Sequence, residues 1–157
     1  MSRGLLAAVL VFATVSVACA GRTTPAVSST AQRLTSATVT FTTLEDGKDA
    51  KSAVTVQLLR NGNELGAEAM TSGTEFDDKS IAPPLVMSIR GPFSREDTGS
   101  GQLRLRLAPD GDDTWTFNVG LALRFSDESQ QNYAWSAIRL DEKAPERTLV
   151  LSGAQAP

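Results

Sequence analysis

Between Trp115 and Phe125 every odd position carries a large apolar side chain: Trp115, Phe117, Val119, Leu121, Leu123 and Phe125. The even positions hold Thr116, Asn118, Gly120, Ala122 and Arg124, all small or polar except the last, which is charged. Successive Cβ atoms of a strand point to opposite faces, so this alternation gathers every bulky side chain on one side. A helix would scatter the same residues around its axis. The stretch therefore predicts one long strand that covers a core.

The chain around it reads as shorter strands separated by turn chemistry. Residues 37–43 alternate with Val39 and Phe41 inward, and residues 53–60 place Val54, Val56 and Leu58 on one face. Asn61-Gly62 predicts a type I′ hairpin, because that pair tolerates positive φ at both central positions. A weaker return strand follows over 64–70. Pro83-Pro84 and Gly91-Pro92 bracket a strand over 85–90; Leu103, Leu105 and Leu107 alternate with Arg104 and Arg106; further strands are expected over 133–140 and 148–151. About eight strands with no helix predict an all-β fold, an antiparallel two-sheet β-sandwich over residues 35–152, with 153–157 as a tail.

Composition narrows the chemistry. The chain has 157 residues, a net charge of -3 and no histidine. Without histidine there is no Ser-His-Asp or Cys-His catalysis, no His-ligated zinc and no ordinary near-neutral base. The acidic balance offers no footprint for nucleic acid. Cys19 is the one cysteine, so no intrachain disulfide forms, and an exported domain of this kind depends on its hydrophobic core. That suits a bacterial cell envelope better than a disulfide-stapled secreted protein.

Export is the expectation. Arg3 precedes an uncharged run from Leu5 to Val17, a basic head followed by an apolar stretch shorter than the roughly 20 residues a spanning helix needs. Residues 1–20 read as a signal peptide, and two processing patterns overlap at its end. Ala18-Cys19-Ala20 is an A-x-A site that would release a protein starting at Gly21. Ser16-Val17-Ala18-Cys19 resembles a bacterial lipobox, whose cysteine is lipidated and becomes the new N-terminus. Val17 and Ala18 fit that pattern; Ser16 stands where the family prefers leucine. The resemblance implies lipidation at Cys19 and a membrane partner through an N-terminal lipid anchor. With Ala20 rather than aspartate after the cysteine, it implies an outer-membrane protein in a Gram-negative cell and a cell-membrane protein otherwise. Simple cleavage would leave a periplasmic or secreted one. Residues 21–34, small and Ser/Thr-rich, read as a disordered tether with a reach of roughly 20 Å.

The acidic turns are where chemistry is sought. Asp46 and Asp49 lie in the turn before the second strand; Asp110, Asp112 and Asp113 precede the long strand. Calcium takes about six to eight oxygen ligands, often from paired loops at one end of a sandwich, so these five carboxylates form a candidate calcium set. Asp and Gly are also ordinary turn formers. Asp127-Glu128, beyond the long strand, should lie at the other end of the domain. Arg104, Arg106 and Arg124, with Tyr133 and Trp135 close in sequence, could form a stripe for a glycan or an anionic ligand, though a solvated sheet face paired with acids is the preferred reading. The segment from Thr38 to Leu59, a strand, an acidic Gly-containing loop, Asp49-Ala50 and an alternating Val54-x-Val56-x-Leu58 strand, resembles the opening hairpin of PLAT/LH2-type and C2-like sandwiches. That likeness implies a non-catalytic lipid- or protein-binding module, calcium-dependent in some members. The reading is thus an anchored envelope protein with a binding or scaffolding role toward an envelope protein or glycan. The alternative is an exported hydrolase using paired carboxylates, with no pair singled out by the sequence.

Overall fold

The computed structural model describes residues 31–152, and its organising element is the long alternating strand, here β7 (Thr114–Phe125). All six of its large apolar side chains point inward, and none is more than 2 % exposed. Around it the chain forms β1 (Leu34–Thr43), β2 (Ala53–Arg60), β3 (Glu64–Thr71), β4 (Leu85–Val86), β5 (Ser88–Ile89), β6 (Gln102–Ala108), β8 (Gln130–Asp141) and β9 (Glu146–Val150). A 3-10 turn, Glu96–Gly99, interrupts the loop before β6.

The strands make two antiparallel sheets, β4-β1-β7-β8 and β5-β3-β2-β6-β9, packed as a sandwich. Val39, Phe41, Phe117 and Leu121 of the first sheet share one core with Val56, Leu58, Leu103 and Leu105 of the second. Each such side chain contributes about 1.5–3 kcal/mol through burial. The hairpin between β2 and β3 has positive φ at Asn61 (50°) and Gly62 (83°), and Asn63 N–H donates to the Arg60 carbonyl at 3.3 Å. The type I′ turn expected there forms.

Among the described residues nine strands stand where about eight were expected, because the strand predicted over 85–90 is two. Met87, 3 % exposed, is the pivot: its N–H donates to Ala37 O in the first sheet, whereas Arg90 N–H donates to Gly66 O in the second. Pro83 and Pro84 have no N–H to give, so the approach to β4 cannot extend the ladder. The sandwich also begins earlier than the expected residue 35: Leu34 opens β1, and Gln32 and Arg33 accept hydrogen bonds from Arg95 and Ser126, so residues 32–34 belong to the fold. Residues 1–30 and 153–157, and with them the expected signal peptide, Cys19, most of the expected tether and the expected tail, lie outside the described residues.

The sandwich has two distinct poles. The chain enters at one, where Arg33 bridges Ser94 and Leu151 N–H donates to Gly101 O. At the other lie the β1–β2, β3–β4, β6–β7 and β8–β9 loops. β1 alone separates them by about 30 Å.

Candidate functional site at the loop pole

The sequence places its candidate carboxylates in two loops, and the fold brings those loops together. Asp49 N–H donates to Asp113 Oδ2 at 3.3 Å, Asp110 N–H donates to Ser52 Oγ at 3.0 Å, and Thr116 N–H donates to the Asp46 carbonyl at 3.2 Å. The β3–β4 loop joins them through a reciprocal backbone pair between Lys48 and Phe76, at 3.0 and 2.9 Å. Gly47 is required at this junction. A Cβ there would stand 2.4 Å from the Phe76 carbonyl oxygen, and its N–H already donates to Asp78 Oδ1 at 2.6 Å.

At the centre of the junction sits Lys48. It is 1 % exposed, and its ammonium donates to the carbonyls of Asp49 at 2.7 Å and Ser52 at 2.6 Å. It also lies 5.2 Å from the centre of the Phe76 ring, within cation–π range. Burial holds its pKa below the usual lysine value, against the opposing pull of Asp113, Asp49 and Glu75. Beneath it Phe76 packs on Trp115 (5.3 Å) and Phe41 (6.0 Å), and Trp115 stacks on Phe117 at 3.8 Å. Trp115 Nε1 donates to Thr43 Oγ1 at 3.1 Å inside the core. The loops thus stand on an aromatic floor supplied by β1 and β7.

The five candidate carboxylates differ in partner and exposure. Asp113 is buried and faces Asp49. Asp110 pairs with Lys51 at 3.6 Å on the surface, Asp112 is exposed, and Asp46 has a left-handed backbone (φ 44°). Among the described residues no three potential metal-ligating side chains close on a common point. The positive charge at the convergence is the chain's own ammonium. Above it opens a cleft of about 420 Å³, lined by Lys48, Asp49, Glu75, Phe76, Asp77 and Asp78.

Neither Lys48 nor Phe76 was singled out from sequence. The available signals were a lone cation inside the acidic turn 45–49 and a lone aromatic inside the polar run 72–80. The candidate arginine stripe does not form. Arg104 and Arg106 lie on β6 and Arg124 on β7, which belong to different sheets. Tyr133 and Trp135 turn inward and stack at 6.0 Å, Tyr133 being 3 % exposed. Asp127 and Glu128 sit by the chain's entry, where Ser126 N–H donates to Arg33 O, at the pole opposite Asp110–Asp113. No protein-family model matches the chain, and no curated protein matches its sequence.

Proposed function

We propose that the chain is an exported envelope protein, anchored through a lipid on Cys19, whose sandwich holds an acidic loop cluster for binding an envelope protein or glycan. The observation that carries the reading is the position of the one cysteine, at the end of the apolar run Leu5–Val17 and behind Val17-Ala18. The fold is consistent with it. The chain enters the sandwich at the pole opposite the loops, so a tether and a binding surface occupy separate ends. The loops themselves are held by backbone bonds and by Lys48, a built scaffold on which exposed carboxylates are displayed.

The test is the intact mass of the processed protein beside a Cys19→Ser variant. A diacylglyceryl increment on the wild type that disappears from the variant is the expected result. A processed wild-type chain that starts at Gly21 with no added mass overturns the anchored reading.

A further inference from the structure

Two sheets have four edges, and three of them are blunt. β4 and β5 are two residues long, and β9 is five residues carrying Glu146 and Arg147. Short or charged strands are the usual protection against edge pairing. The fourth edge is different. β8 runs for twelve residues, and among the described residues no strand pairs with its outer side.

Its first nine residues, Gln130-Gln131-Asn132-Tyr133-Ala134-Trp135-Ser136-Ala137-Ile138, contain no charge, no proline and no glycine. The regular part ends at a bulge, where Ala137 takes φ 54° and its N–H donates to Asn118 Oδ1 at 2.9 Å. Charges appear only at the two ends. Asp127 and Glu128 lie in the turn before β8, and Arg139 follows the bulge, its side chain 60 % exposed and reaching Asp141 at the strand's end at 3.2 Å, which leaves the rest of its guanidinium for a second partner.

We infer that β8 pairs antiparallel with β8 of a second copy, joining the two four-stranded sheets across a two-fold axis. An antiparallel partner with the same face buried must have residues of equal parity opposite each other. The register centred on Tyr133 meets that condition and sets Asn132 against Ala134 of the other copy. Opposite charges then meet at both ends. The extra residue at the bulge draws each Arg139 opposite the second copy's Glu128, with Asp127 beside it. A parallel arrangement would instead set each acidic turn against the acidic turn of the other copy, so charge complementarity selects a second copy in the antiparallel sense. The pairing goes beyond the anchored-binding reading and applies equally to a released chain. It sends the two chain entries out at opposite ends of the joined sheet, so an anchored pair lies with its strands along the membrane.

Cross-linking in cells tests the register directly. The mature chain has no other free thiol whether Cys19 is lipidated or removed, so an Asn132→Cys/Ala134→Cys variant of the full chain is expected to form a covalent dimer on oxidation. Thr148→Cys/Val150→Cys on β9 is expected to stay monomeric. Sedimentation of the purified mature chain in density-matched detergent provides the second arm. Arg139→Glu removes two symmetry-related attractions and is expected to weaken the dimer about ten-fold. Adding Glu128→Arg to it is expected to restore the wild-type value, which a merely unfolded variant would not do. A wild type that sediments as a monomer at every concentration overturns the inference, as does a thiol on β8 that captures only a different protein.

Discussion

Lys48 concentrates the energetics of the loop pole in one side chain. Its ammonium satisfies the Asp49 and Ser52 carbonyls and feels the charge of Asp113, yet its own burial depresses its pKa. Lys48→Met keeps the bulk, leaves the Asp49 and Ser52 carbonyls without the ammonium donor and takes a positive charge away from Asp113, so a loss of about 2 kcal/mol is expected in denaturant titrations. The pH dependence has a definite sign. A lysine whose folded pKa lies below its unfolded value of 10.5 gives up its proton first in the folded state. Between those two values the unfolded chain binds more protons, and stability rises with pH. The stability gap between wild type and Lys48→Met should therefore widen as pH climbs toward 10.5, with the other titrating groups cancelling. A gap that narrows would mean that ion pairing, and not desolvation, dominates at this site. None of this was legible in sequence. A lysine among aspartates in a Gly-containing turn looks like a solvated charge until the β3–β4 loop, carrying Phe76, closes over it.

At the scale of elements, legibility followed periodicity. β7 was readable because alternation is a local property and its inner face is fully covered. β6 and β2 were readable for the same reason. The split of 85–90 was not, since Leu85, Val86, Met87 and Ile89 look like one apolar strand, and only the two sheets they serve distinguish them. The arginine stripe failed for a related reason: neighbours in sequence can belong to different sheets, and pairing is long-range. β8 was recognised only in part, as Gln130, Gln131 and Asn132 carry no apolar signal. Its bulge offers a test of the strand's own strain. Ala137 has a left-handed backbone that glycine adopts without the steric cost of a Cβ. Ala137→Gly is expected to raise stability by about 1 kcal/mol, read from chemical denaturation midpoints. A loss instead would show that the methyl group makes a packing contribution larger than the strain.

For the whole molecule, the question raised by the acidic turns is whether a divalent ion joins them. The convergence already holds a cation, and the carboxylates around it are spent on separate partners: Asp113 on Asp49, Asp110 on Lys51 and Asp78 on Gly47. Melting curves in calcium and in EDTA are expected to coincide, because an ion that bound only the folded state would raise the midpoint by mass action. A clear rise in calcium would instead support a calcium set of Asp46, Asp49, Asp110, Asp112 and Asp113. The separation of the poles has a mechanical consequence as well. A load applied at the loops and resisted by the chain ahead of Gln32 runs along β1, parallel to its ladder with β7 from Leu34–Phe125 to Thr43–Phe117. Hydrogen bonds of an antiparallel ladder lie across the strands. Such a pull shears the whole ladder together, where a pull across the strands would unzip it one bond at a time.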